Sequence, residues 1–219
     1  MNVYKDLKNY EQLPRFISYW YQIDTIRKLK PKSILEVGKG TGFVYDYLKK
    51  SGFNIISLDF DKALKPDILL DVRDISSLNK KFDLMSCSEV IEHMPYEDAV
   101  ICLSKFSLMS KYVLLCIPIA GNYFSVNIRF SGIKRLFKRE LISIPFVVKP
   151  FWKNFIRDEE HHWELGYKDY PIGKFRKILR SNFVIEKEFG NGIYPYHKFF
   201  LLRSKMIKIL GGEDVKSNA

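Results

Sequence analysis

The chain has 219 residues, 47 % hydrophobic and 15 % aromatic, enough to bury one sizeable core and too apolar to remain unfolded outside the polar tail 211–219. Its formal net charge of +11 is uneven: residues 1–120 carry 17 Lys+Arg against 15 Asp+Glu, and residues 121–219 supply the other +9. The apolar runs are too short and too broken by proline to span a bilayer, the start MNVYKDLKNYEQ has no signal-peptide core, and Cys87, Cys102 and Cys116 have no metal-ligand spacing, so a cytoplasmic protein with buried free thiols is expected.

Ile34, Leu35 and Val37 read as a buried parallel strand, followed by a glycine turn and a helical pattern at Phe43, Val44, Tyr47 and Leu48. A strand, a glycine loop and a helix form a nucleoside pocket whose helix amino terminus favours a carboxylate. Glycines at 38, 40 and 42 follow Glu36 as E-x-G-x-G-x-G. A dinucleotide fingerprint counted from Gly38 needs a glycine at position 43, where Phe43 stands, so the spacing suits a ligand with an amino-acid end better than a pyrophosphate. The segment resembles the S-adenosylmethionine loop of class I methyltransferases of the small-molecule type. Lys39 inside the loop departs from the family's small residues, and its ammonium is expected to turn outward, away from a cationic sulfonium.

A second strand, Asn54 to Leu58, ends at Asp59, where one carboxylate accepts from both ribose hydroxyls; Asp61 is a neighbouring competitor, and either acid also suits a turn or helix cap. In DILLDVRDIS, the resemblance implies an adenine site at Asp71 with a backbone amide near Val72 or Arg73, while Asp74 suits a cap. The fourth strand, Phe82 to Ser86, runs into CSEVIEHMPYED. By the resemblance Cys87, Ser88 and Glu89 stand beside the cofactor and His93 on the acceptor side, where it either orients the loop or removes a proton. A helix starts near Pro95, and Lys111 to Ile117 is a fifth strand.

Between residues 121 and 157, eight basic residues (Arg129, Lys134, Arg135, Lys138, Arg139, Lys149, Lys153 and Arg157) face one acid, Glu140, interleaved with aromatics. Val126, Phe130, Ile133, Phe137 and Leu141 fall at helical spacing, predicting an amphipathic helix that packs on the protein or meets an anionic, partly apolar partner. In RDEEHHWELGYKDYP, His161 and His162 are the other candidate bases or acceptor clamps; consecutive Glu159, Glu160, His161 and His162 lack i, i+4 metal spacing, so no metal is expected. A helix over Pro171 to Ser181 and strands Phe183 to Phe189 and Tyr196 to Leu202 complete the pattern.

The resemblance spans 31 to 203 and implies an α/β doubly wound, Rossmann-like, mostly parallel seven-stranded sheet with an antiparallel last strand. The expected organisation is an N-terminal helical cap over 1–30, a methyltransferase domain over 31–210 with a basic-aromatic lid over 121–165, and a disordered tail over 211–219. It also implies S-adenosyl-L-methionine, held by Glu36, Gly38, Gly40, Gly42, Asp59, Asp71, Val72, Cys87, Ser88 and Glu89. The expected reaction is in-line methyl transfer to an oxygen or nitrogen of a small or lipid-linked saccharide acceptor, with His93, His161 and His162 as the bases to test. The stretch 121–157 also suits peripheral membrane contact. Nucleic acid is disfavoured for want of an N-P-P-Y motif, an RNA methyltransferase and a non-catalytic cofactor-binding module remain the alternatives, and oligomeric state is open.

Overall fold

The structure, a computed structural model, describes residues 10–129, 141–148, 150–157 and 160–207. Its centre is a seven-stranded sheet in the order β3-β2-β1-β4-β5-β9-β8, with β1 Ile34–Val37, β2 Ile55–Asp59, β3 Ile68–Leu69, β4 Phe82–Ser88, β5 Ser110–Pro118, β8 Phe183–Gly190 and β9 His197–Ser204. Strands β1 to β5 pair in parallel, whereas β9 inserts antiparallel between β5 and β8. The strand order reverses between β1 and β4, and in such sheets ligands sit at the carboxyl ends of those strands.

The four residues of β1 are all buried because helices cover both faces. One core cluster joins Leu35, Val37, Met85, Val113 and Leu115 to helix α3, Tyr96–Met109, and helix α4, Ile172–Asn182, through Phe106, Phe175 and Leu179. On the opposite face Ile34, Leu84 and Leu114 meet α1, Leu13–Leu29, and α2, Phe43–Lys50, through Ile23, Ile26, Val44 and Leu48. Helix α2 turns Val44, Tyr45 and Leu48 inward, so Phe43 and Tyr47 of the expected face lie exposed. All three cysteines are free and buried.

The expected helix after β5 is corrected at its two ends, Val126 and Leu141. Asn122–Arg129 is strand β6 and Leu141–Val148 is strand β7, an antiparallel pair set apart from the main sheet in which Val126 opposes Ile144 and Arg129 opposes Leu141. Phe130, Ile133 and Phe137 lie outside the described residues, as does the tail 211–219. The pattern that governs here has period two: Phe124, Val126 and Ile128 alternate with Tyr123, Ser125 and Asn127. Phe124, Val126, Ile128, Ile144, Phe146 and Val148 are all exposed, and the rings of Phe124 and Phe146 stack with centroids 4.7 Å apart.

Candidate functional site

The loop after β1 is built from backbone conformations that side chains resist. Gly38, Gly40 and Gly42 have φ of 80°, 53° and 81°, and a Cβ on Gly38 would lie 2.3 Å from Val90 Cγ2. The Gly38 amide donates to Leu58 O at 2.8 Å, tying the loop to β2, and Gly42 caps α2. Asp59 fixes the loop from the other side. Its carboxylate accepts from the Lys39 amide at 2.8 Å and the Asp61 amide at 2.9 Å. The Lys39 ammonium turns outward to the Lys65 carbonyl at 2.6 Å.

A cleft opens at this loop, lined by Glu36, Gly38, Gly40, Thr41, Ser88 and Glu89, with Arg15, Tyr19 and Gln22 of α1 along one wall. Five expected cofactor residues are thus brought together. The others stand elsewhere: Gly42 and Asp59 shape the loop from behind the cleft surface, and Cys87 and Val72 are buried in the core cluster. Asp71 caps the turn that follows it, accepting from the Arg73 amide at 2.8 Å and pairing with its guanidinium at 2.6 Å. That pairing engages the carboxylate expected to meet adenine, and the Arg73 hydrogen bonds hold it below its usual range.

Two groups in the cleft fit a cationic ligand with polar edges. Glu36 is buried and its Oε2 has no hydrogen-bond partner; burial pushes its carboxyl up to about 8, with Lys39 opposing. Ser88 Oγ, also buried, has no partner either. Buried polar atoms are normally satisfied, so this pair marks where a ligand's donors belong. An ammonium near Glu36 lets the carboxylate ionise. Glu36→Gln should therefore weaken S-adenosylhomocysteine binding roughly 10-fold or more while leaving the melting temperature unchanged or higher, because a neutral isostere suits the buried position. Calorimetric titration beside a thermal melt checks both, and unaltered affinity would remove Glu36 from the site.

Beyond Ser88 the chain turns sharply. Glu89 has φ of 56°, in the left-handed region, and its carboxylate bridges Arg15 Nη1 at 2.7 Å and His197 Nε2 at 3.2 Å. Burial opposes its charge, yet His197 and Arg15 hold its carboxyl down at about 2. No sequence pattern linked these residues, which come from α1, the end of β4 and the start of β9.

His93 and His161 meet just past this point, with ring centroids 5.1 Å apart. The segment 160–165 reaches them because it is stitched to 92–94 and to the chain after β5: the His162 amide donates to Glu92 O at 2.8 Å, Trp163 Nε1 to Met94 O at 3.1 Å, and Ala120 N to Leu165 O at 2.7 Å. His161 Nδ1 lies 2.7 Å from Glu164 Oε1, which also accepts from Tyr196 Oη at 3.0 Å. His162 points elsewhere, with Nε2 2.9 Å from Arg157, and desolvation followed by the Arg157 charge lowers its pKa. Of the three candidate bases, then, the structure gathers His93 and His161 and sets His162 apart. Glu92, fully buried near Glu89 and His161, was not among the expected site residues, because nothing in the run EVIEHM shows which of its two acids turns inward.

A family model described as a methyltransferase domain matches residues 10–120, the span from α1 through the end of β5. Among curated proteins, the ubiquinone biosynthesis O-methyltransferase of Hahella chejuensis is 24 % identical over 195 residues, covering 78 % of this chain and 76 % of its own length. Among solved structures, an S-adenosylmethionine-dependent methyltransferase from Clostridium acetobutylicum is similar with TM-score 0.59 and 12 % identity, over 92 % of this chain and 96 % of that one. The small RNA methyltransferase HEN1 is similar with TM-score 0.56 and 18 % identity over 86 % of this chain, which spans 25 % of HEN1. These two likenesses cover more of the chain than the span 10–120. With the family model matched across the glycine loop, the cleft and the β4 turn, the chain belongs to the methyltransferase domain family and is a class I S-adenosylmethionine-dependent methyltransferase.

Proposed function

We propose that the chain methylates a hydroxyl oxygen of a small acceptor with an apolar part, deprotonating it at the cluster of His93 and His161. The observation that carries this reading is the position of that cluster, one turn beyond Ser88 and Glu89 of the cofactor cleft, with His161 oriented through Nδ1 by Glu164. Bound in the cleft, the cofactor supplies an already activated methyl group, so the chain has to align an acceptor and promote loss of its proton. The Hahella relative is named an O-methyltransferase, which agrees with a hydroxyl acceptor.

Radiolabelled methyl transfer from S-adenosylmethionine to cell extract fractionated into lipid, small molecules and RNA tests the proposal. Label should enter an O-methyl product, and His161→Gln should lower turnover about 100-fold and flatten its rise with pH. An N-methyl product, or an unchanged pH profile, would overturn the assignment. The basic stretch 121–157 favours one rival, an RNA acceptor, for which label would instead appear in RNA with salt-sensitive binding. Cofactor affinity without turnover on any fraction would point to a binding module.

The exposed apolar face of β6 and β7, in a stretch whose sequence from 121 to 157 carries eight basic residues and one acid, suits an acceptor taken at an anionic lipid surface. Replacing Phe124 and Phe146 together with serine should cut binding to phosphatidylglycerol vesicles about 10-fold or more, read by co-sedimentation, with turnover on a water-soluble acceptor retained. Equal binding by wild type and variant, or no binding to vesicles at all, would remove the membrane from the reading.

A further inference from the structure

Glu92 poses a problem that methyl transfer alone does not answer. Its side chain is fully buried, and neither carboxylate oxygen has a hydrogen-bond partner. A carboxyl placed so is costly whether it is ionised or neutral, and such groups persist where they meet a ligand. Beside it stand the two imidazoles already described. One carboxylate oxygen of Glu92 and one ring nitrogen each of His93 and His161 all lie within 4.8 Å of one another.

The surroundings of the histidines supply a second, independent observation. A metal-bound imidazole characteristically gives its other ring nitrogen to a carboxylate or a backbone carbonyl, which fixes the tautomer and aims the ring. Both patterns occur here: His161 Nδ1 is 2.7 Å from the Glu164 carboxylate, and His93 Nδ1 is 2.7 Å from the Glu160 carbonyl. With Nδ1 of each ring so engaged, Nε2 is the nitrogen a metal would take. Glu164 is itself held by Tyr196 Oη. The two segments that bring the donors together are stitched by the His162 amide and Trp163 indole bonds to the backbone at 92 and 94, so the set is largely preformed.

We propose that Glu92, His93 and His161 form a binding site for a divalent first-row transition ion such as Mn2+, Co2+ or Zn2+. Two imidazoles and one carboxylate suit these ions, whereas Mg2+ and Ca2+ prefer oxygen-only shells. Three protein donors leave positions open to solvent or acceptor. A cation about 2.1 Å from each donor requires donor separations of roughly 3–3.5 Å, so closing the set takes small rotamer adjustments. In the role that rests on the methyltransferase reading, the ion binds the acceptor oxygen and acidifies it. The O–H proton leaves to solvent, the new C–O bond forms as the cofactor's C–S bond breaks, and the sulfonium becomes a neutral thioether; no electron changes hands. In that role the two histidines act through the metal rather than as bare bases. Glu89 is not a donor, since Arg15 and His197 occupy it.

The test is a cobalt titration of the full chain after dialysis against a chelator, followed by visible absorption and repeated calorimetrically with Mn2+ and Zn2+. Wild type should take up one equivalent with the d–d bands of a nitrogen- and oxygen-bound ion. His93→Ala, at an exposed position, should reduce affinity at least 10-fold with an unchanged melting temperature, as should Glu92→Gln, while Glu164→Gln should lose about 10-fold through His161 alone. No uptake of Co2+, Mn2+ or Zn2+ by wild type at micromolar concentrations overturns the proposal, and so does a His93→Ala variant that binds like wild type. S-adenosylhomocysteine binding, measured on the same samples, reports separately on the methyltransferase reading and stands or falls without the metal.

Discussion

Alanine at position 38 is expected to lower affinity for S-adenosylhomocysteine at least 100-fold and to cost about 1–3 kcal/mol of stability. Two independent effects act at this residue. Its φ of 80° penalises any Cβ, and the Cβ itself would come within 2.3 Å of Val90 Cγ2, so the loop between β1 and α2 has to shift. That shift moves the Gly38 amide off Leu58 O and reshapes the cleft floor at Gly40 and Thr41. Gly52→Ala separates the two effects. Gly52 has φ of 85° but nothing within 4 Å of the added carbon, and it does not line the cleft. It should show a comparable backbone cost with affinity unchanged. Calorimetric titration and thermal melts of both variants decide the matter: Gly38→Ala binding within about 3-fold of wild type would mean that this loop does not cradle the cofactor.

The cofactor half was readable because its determinants are local in sequence. Three glycines in five residues fix a backbone path whatever surrounds them, and the strand runs at Ile34, Ile55, Phe82 and Lys111 are apolar on both faces, as buried parallel strands must be. Asp59 shows the limit of that legibility. A carboxylate at the end of β2 was plain, but its partners in the structure are the amides of Lys39 and Asp61, which only the folded loop brings near. At Asp71 a local partner stands where adenine was expected: Arg73, two residues on, offers it both an amide and a guanidinium. Distant partnerships left no trace at all: Arg15 and Glu89 are separated by 74 residues, His93 and Glu160 by 67. The stretch after β5 misled by its composition. Apolar residues at 126, 130, 133, 137 and 141 match a helix by count, but at 126, the described start of that series, the β-branched and aromatic alternation at 124, 126 and 128 was the stronger signal. An apolar face left exposed by a strand pair defeats the expectation that such faces pack inward.

Replacing Glu89 with glutamine is expected to destabilise the protein by about 3 kcal/mol, lowering its melting temperature by roughly 6–12 °C, and to loosen α1 from the cleft. The reason lies in what the carboxylate holds. Arg15 from α1 and His197 from β9 converge on it, and His197 is 2 % exposed, so removing the negative charge leaves a largely buried guanidinium without its counter-ion and weakens the bond to a buried imidazole. The pH dependence gives a second readout with a definite sign. Glu89 is held at about 2 in the fold, against about 4.3 for an unfolded glutamate. Its contribution is therefore complete above about pH 4.3 and declines as the pH falls from there towards 2, because the unfolded chain takes up the proton first. Glu36 and Glu92 act oppositely: burial raises both to about 8, so between pH 4.3 and 8 the folded chain holds protons that the unfolded chain has released, and each adds stability as the pH falls through that range. Wild type should thus grow more stable from pH 8 towards 5 and lose stability below 4, whereas Glu89→Gln should keep the first trend and show a weaker acid loss. Urea denaturation at unit pH intervals measures both. Parallel stability profiles for the two proteins below pH 4 would show that the Arg15–Glu89–His197 bridge does not form in solution.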